Sequence, residues 1–338
     1  MKRAQGKRAT TLDNWRTCLC VHVVPRIGGL RVTEVTPQTI EGLYLDLAQH
    51  GKRAGACRTS GVTCRAHGCS PERHDGLAPK SLRHVHGALR GVLARVVEDG
   101  HLPRNPAEAD RARGALPRAG AGTQRVRADA FWSDVEARRF LAATAGDHPA
   151  GALWATLLGT GMRRGEAVAL RWTDVDLDGG AATVRRSTTV VRGATVETSG
   201  KTAAAERTVP LPTGLVAVLR AHRARQTEDR LAVGAGWVDR GHVFTEADGR
   251  PIHPSRVSER FHAACKVAGV PSIGVHGCRH TAATAMLREG VPVTTVARVL
   301  GHADPGITLK VYAHAVPSDD ALASAAVERA MFTAAAVS

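Results

Sequence analysis

The sequence predicts a mainly helical chain in two domains, with a short β region set into the second. Three observations carry this. Apolar residues recur at helical spacing over most of the 338 residues; alternation of β-branched residues is confined to the stretch 182–211; and residues 107–127 are Ala, Gly and Arg with almost no large apolar side chain, which is linker composition.

The first domain spans residues 1–106. Leu12, Trp15 and Leu19 form an apolar stripe, which the run Val23–Leu30, with Pro25 and Gly28-Gly29, is expected to break. Thr36-Pro37 supplies an N-cap and a first-turn proline for a second helix through Ile40, Leu43, Tyr44 and Leu47, and Gly51 supplies its stop. Residues 52–76 read as an inserted loop rich in Gly, Arg and Cys. Cys57, Cys64, Cys69 and His74, with His67 between them, have the donor types of a zinc site, but their irregular spacing favours a basic loop with incidental thiols. Helical spacing returns at Leu82, Val85, Leu89, Val92, Leu93 and Val96, between Pro79 and Gly100. The opposite face carries Arg83, Arg90 and Arg95, suited to a DNA backbone as well as to water. In the linker Arg111, Arg113, Arg118, Arg125 and Arg127 are spaced to follow phosphates across a duplex.

The second domain, 128–338, opens on Ser133 and Glu136 in a capping-box pattern and continues through Leu141 and the apolar run Leu153–Leu158. Strands are expected at Ala182–Val191, Thr195–Glu197 and Arg207–Leu211, with Lys201 in the turn E-T-S-G-K-T. After Pro212 the pattern is helical to the end, interrupted by loops over 233–254, and Leu322, Ala326, Val327, Ala330 and Met331 share a helical face in the tail.

Formal charge is +15 and the pI about 10.4. Residues 1–128 hold 22 Lys+Arg against 10 Asp+Glu, leaving 24 against 21 for residues 129–338, so the excess is +12 in the first part and +3 in the second. A polyanionic partner or a membrane surface fits this balance. No apolar run approaches the roughly 20 residues that span a bilayer, and the start M-K-R-A-Q-G-K-R lacks the apolar core of a signal peptide. A cytoplasmic protein with its seven cysteines reduced is expected.

The chemistry gathers between Val275 and Tyr312, in the runs V-H-G-C-R-H-T, V-L-G-H-A-D-P-G and T-L-K-V-Y-A-H. Cleaving a phosphodiester without a metal needs fixed cations or strong donors on the non-bridging oxygens, an acid for the leaving oxygen, and a nucleophile. His276 and Arg279, three apart, point the same way in the first turn of a helix. A guanidinium grips phosphate through two parallel hydrogen bonds, which a lysine does not. Of the two tyrosines, Tyr44 lies among core positions, leaving Tyr312 as the nucleophile candidate. Its phenol, near 10 when unperturbed, needs cationic neighbours. Thr281 reads as a cap for the following helix, and His253 and His314 as surface.

Five motifs in order then make the chain resemble tyrosine recombinases of the phage-integrase type: T-G-M-R-R-G-E at Thr160–Glu166, the G-K-T…R-T-V-P-L hairpin, H-G-C-R-H-T at His276–Thr281, L-G-H at Leu300–His302, and the tyrosine of L-K-V-Y-A-H. The resemblance implies a mainly α fold with a small antiparallel β-sheet. A helical core-binding domain and a mixed catalytic domain would close as a clamp on duplex DNA. It further implies that Arg163 and Arg279 bind the scissile phosphate, that Lys201 protonates the departing 5′ oxygen, and that His276 and His302 hydrogen-bond the phosphate. Tyr312 would form a 3′-phosphotyrosyl bond, with no cofactor, and Glu166 would support an arginine. His280 reads as a hydrogen-bonded structural neighbour. The implied partners are double-stranded DNA attachment sites, further copies of the chain in a homotetramer on DNA formed from a monomer or weak oligomer, and accessory DNA-bending proteins. A type IB topoisomerase and a non-catalytic DNA-binding remnant of a mobile element are the alternatives.

Overall fold

The computed structural model describes residues 9–50, 76–116, 131–199, 206–302 and 304–312, with Ser324 and Glu328 beyond them. The zinc candidates Cys57, Cys64, Cys69 and His74, the linker arginines Arg118, Arg125 and Arg127, Lys201 and the apolar positions of the tail lie outside the described residues. The described chain is mostly helical with small antiparallel sheets, and it divides into two compact units, Met1–Gly122 and Thr123–Ser338. Among the described residues no helix is long and apolar enough to cross a membrane.

In the first unit α1 (Ala9–Cys18) does not stop at the Pro25 region. It runs through a π-helical turn, Leu19–Val23, into α2 (Val24–Ile27). The break expected over Val23–Leu30 falls at Gly28-Gly29, where α2 ends on the Gly28 cap, and not at Pro25, whose ring and missing N–H are taken up where the π-helical turn meets α2. The helix α3 (Pro37–His50) buries Ile40, Leu43, Tyr44 and Leu47, and α4 (Pro79–Glu98) buries Leu82, Val85, Ala88, Leu89 and Leu93 against them. The Tyr44 hydroxyl lies 2.8 Å from His86 Nδ1, which satisfies its buried polar end.

Residues 107–116, read from composition as linker, belong to this core. Ala107 follows the cap Asn105 in a 3₁₀ turn, Ala112 sits on α5 (Asp110–Gly114), and both are fully buried among α3 and α4. Alanines that fill close helix contacts and alanines of a linker look alike in composition, so burial decides between them. Arg111 pairs with Glu41, Arg90 with Glu108 at 3.0 Å, and Arg95 with Glu98 at 3.1 Å and Asp99 at 2.7 Å. These arginines of the expected phosphate-facing set are exposed and hold carboxylates.

The second unit is entered at Trp132, whose backbone N–H donates to Thr281 Oγ1 (3.0 Å) and whose indole donates to Pro271 O (2.7 Å). Ser133 and Glu136 form the expected capping box at the start of α6 (Asp134–Thr144). Behind it come α7 (Ala150–Thr160) and α8 (Arg164–Val168). The β region is two sheets. β1 (Val175–Asp176), β2 (Ala181–Val184) and β5 (Arg207–Pro210) pair antiparallel in the order β1-β2-β5, and β3 (Arg186–Val191) pairs with β4 (Ala194–Ser199) as a separate hairpin. The run expected as one strand over 182–191 is thus divided at Arg185. Then follow α9 (Thr213–Val233), α10 (Pro254–Ala268), α11 (Val275–Arg288), α12 (Val293–Leu300) and α13 (Pro305–Tyr312). Thr281 lies in the middle of α11, not at a cap; its hydroxyl donates to Gly277 O.

An aromatic cluster centres this core. Phe261 packs on Phe140 (ring centroids 5.3 Å), Trp154 (5.4 Å) and Trp132 (5.6 Å), tying α6, α7 and α10 together. Aromatic pairs at such separations add to the area they bury. Phe261→Ala is expected to destabilise the second unit by about 3–5 kcal/mol, read by urea unfolding through tryptophan fluorescence, while Trp15 in the first unit reports an unchanged transition.

Candidate active site

Two helix ends and one helix start build the site. α7 terminates on Gly161 in the left-handed conformation (φ +65), where a Cβ would stand 2.7 Å from Leu300 Cδ2. Only glycine satisfies both the turn and this approach of α12. Two residues later Arg163 occupies the N-cap of α8 in extended conformation. The α8 start then folds a carboxylate back on it. Glu166 accepts from the Arg163 backbone N–H (Oε2, 2.8 Å) and from Arg163 Nη1 (Oε1, 2.8 Å).

Glu166 has a second guanidinium. Arg207 on β5 donates to it through Nη2 (2.7 Å) and Nη1 (3.2 Å), and through Nε to Val299 O at the end of α12 (2.8 Å). Arg207 and Val209 face inward while Thr208 and Pro210 face out, so strand alternation delivers the arginine to the interior. Burial alone would raise the Glu166 carboxyl. The two arginines outweigh it and hold the group at about 2.

Arg279, in the second turn of α11, is 2% exposed. Its Nη1 donates to Gly161 O (3.0 Å), and its Nη2 is buried with no hydrogen-bond partner among the described residues. Burial first, then the neighbouring Arg163, brings its pKa down to about 10, which leaves it charged at neutral pH. A buried guanidinium with an idle donor is costly unless something anionic arrives.

The histidines border this cation cluster. His276 and His280, one helical turn apart on α11, meet edge to face with centroids at 4.8 Å. His302 follows Gly301, the left-handed cap of α12 (φ +70), and its Nδ1 lies 2.7 Å from Thr308 Oγ1 on α13. Burial, with Arg279 next, lowers His276 and brings His302 down to about 4. Burial and His276 bring His280 to about 4 as well. All three rings are therefore neutral at pH 7. Tyr312 closes the group. It is packed with Ala283, Leu287, Val296 and Leu300, and its hydroxyl lies 2.6 Å from His280 Nδ1. Burial pushes the phenol up to about 12 against the opposing pull of Arg279.

The arrangement joins guanidiniums for an anion, neutral imidazoles that donate and accept, and a phenol. Residues 135–318, more than half of the chain, match the model of the phage integrase family. The chain belongs to the phage integrase family. The match includes every motif above, from Arg163 to Tyr312. A tyrosine recombinase XerC-like protein of Caldanaerobacter subterraneus subsp. tengcongensis is 32% identical over 255 residues, covering 72% of this chain and 64% of that one, so the chain spans less than two thirds of that relative. An integrase of Streptomyces ambofaciens is 26% identical over 91% of this chain and 72% of its own. Among solved structures the Tn1549 transposon integrase, in complex with a circular intermediate DNA, has a TM-score of 0.67 at 17% identity, covering 97% of this chain and 95% of that one. That likeness is one of fold.

In this integrase-family chain the structure brings together Arg163, Glu166, His276, Arg279, His280, His302 and Tyr312 as named from sequence. Arg207 and Thr308 were missed. Arg207 stood in the R-T-V-P-L motif as a strand residue, and the signal that points to it is the need of a buried carboxylate, already facing Arg163, for more than one partner.

The stability that the Glu166 carboxylate contributes is complete above its ordinary value of 4.5 and is lost as pH falls through about 2. Glu166→Gln is expected to cost on the order of 3 kcal/mol at pH 7, and the gap from wild type to shrink by more than half at pH 3. Urea unfolding at the two pH values checks this; an equal gap at both would contradict it.

Proposed function

We propose that this chain is a site-specific DNA recombinase that cuts and rejoins strands through a 3′-phosphotyrosyl intermediate on Tyr312. The observation that carries the reading is the idle, buried Nη2 of Arg279 beside Arg163 and Tyr312. A scissile phosphate is the anion whose oxygens match those donors. Arg163 and Arg279 bind the non-bridging oxygens and meet the charge that grows as Tyr312 attacks phosphorus. His276 and His302 hydrogen-bond the phosphate while neutral and, once the anion is bound, take up the proton that the Tyr312 phenol loses as it attacks. Lys201 protonates the departing 5′ oxygen. Glu166 and Arg207 hold Arg163 in place. The phosphotyrosyl bond conserves the energy of the broken linkage, and a 5′ hydroxyl of a partner duplex attacks it to reseal the strand.

The partners are double-stranded DNA attachment sites and further copies of the chain, four acting on two duplexes, with accessory DNA-bending proteins. The +12 excess of residues 1–128 makes that part of the chain the larger electrostatic footprint for DNA. The Tn1549 integrase, similar in fold, is known in complex with DNA, and the integrase of Streptomyces ambofaciens matches nearly the whole chain.

A pool of nicked duplexes from sequence flanking the gene, incubated with protein in EDTA and run on a denaturing gel, tests the reading. Wild type is expected to form a covalent adduct, Tyr312→Phe none at equal DNA affinity, and Arg279→Ala to form it about a hundredfold or more slowly. An adduct with Tyr312→Phe, or an unimpaired Arg279→Ala, overturns it.

A further inference from the structure

Tyr312 is carried by α13, and its hydroxyl is placed by what that helix packs against. α13 packs on α12, and the ring lies in a small apolar cluster supplied by α11 and α12. That cluster fixes the ring plane, but apolar contacts do not orient a hydroxyl. The one hydrogen bond of the phenol recorded among the described residues runs to His280 Nδ1, at 2.6 Å, and joins α13 to α11.

His280 stands next to Arg279 and one turn after His276, so its imidazole shares the helix that carries the phosphate-facing guanidinium. An element that holds Arg279 by one residue and the nucleophile by the next sets the spacing between the two. Sequence alone marks His280 as a structural neighbour; in the structure its ring nitrogen meets the Tyr312 hydroxyl.

We propose that His280 is the positioning residue of the nucleophile: its Nδ1 accepts the Tyr312 hydroxyl proton in a hydrogen bond and so fixes the phenol oxygen relative to Arg279, with that oxygen's lone pairs left for phosphorus. This rests on the reading of Tyr312 as the nucleophile. The acceptor role requires the tautomer with the proton on Nε2, which suits a phenol that keeps its proton. A neutral imidazole is also what the surroundings favour: on α11 the ring faces His276 and Arg279, with His302 just past the end of α12 and Tyr312 on α13, and among the described residues no carboxylate acts on it. The ring is thus a poor resting place for a proton and a good fixed acceptor.

Asparagine separates the hydrogen bond from the imidazole, because its Oδ1 sits where Nδ1 does in histidine and accepts the same proton, yet it does not protonate. In single-turnover cleavage of a nicked duplex at saturating protein, His280→Ala is expected to slow adduct formation on the order of tenfold or more, through a freed hydroxyl and a misplaced oxygen. His280→Asn is expected to restore most of the rate, and DNA affinity by filter binding to match wild type in both. Far-UV circular dichroism establishes that the variants fold, and should His280→Ala not fold, His280→Leu takes its place. A wild-type rate in His280→Ala overturns the proposal, as does His280→Asn slowed as much as His280→Ala. If wild type itself forms no adduct, it is the reading of the site that fails and the proposal falls with it; an adduct with wild type isolates the outcome to His280.

Discussion

The site depends on one carboxylate held between two guanidiniums. Arg163 and Arg207 approach Glu166 from α8 and β5, and Arg279 stands close enough to both that its own charge is felt by them and theirs by it. Three arginines together repel one another strongly away from water. Glu166 offsets that repulsion for two of them and leaves Arg279 with a backbone carbonyl and an idle nitrogen. The sum of these four side chains is +2, and the histidines beside them are neutral. A phosphodiester brings one negative charge and its pentavalent transition state a second, so these four side chains match what they are proposed to meet at the top of the barrier, apart from the proton that Lys201 is proposed to deliver. Electrostatic stabilisation of this kind acts because the donors are already in place; Glu166 holds Arg163 and Arg207, and Gly161 O holds Arg279.

The helix ends follow from that requirement. Gly161 and Gly301 both adopt the left-handed conformation, and both lie where a side chain would strike a neighbour, Leu300 in one case and Arg207 in the other. They let α7 and α12 stop against each other. Gly161 O then receives Arg279, and Gly301 O lies 3.4 Å from Arg163 Nη2. The aromatic cluster around Phe261 and the bond from Trp132 to Thr281 fix α11 from the other side. Packing and backbone geometry therefore converge on the arginines.

Much of this was legible in the sequence, because short motifs carry local chemistry. The spacing of Arg163 and Glu166 announces a helix start with a carboxylate turned back on it, and His276, Arg279 and His280 share one helix. What escaped was non-local. Arg207 is 41 residues from Glu166, and only the pairing of β2 with β5 brings it there. The bond between His280 and Tyr312 spans 32 residues and depends on the angle at which α13 returns. The alanines at 107 and 112 have the composition of a linker and the burial of a core, since burial of a methyl leaves no mark in composition. That the helix passes Pro25 and ends at Gly28-Gly29 depends on the π-helical turn before the proline, for which the sequence carries no local signal.

The most direct measurement of the central claim is the chemistry of the protein–DNA bond. After cleavage of a nicked duplex, nuclease and protease digestion followed by mass spectrometry would identify the modified peptide and the end of the nucleotide attached to it. The account predicts a nucleotide joined through its 3′ phosphate to Tyr312, with a free 5′ hydroxyl on the released strand. Linkage to another residue, or through a 5′ phosphate, would contradict it.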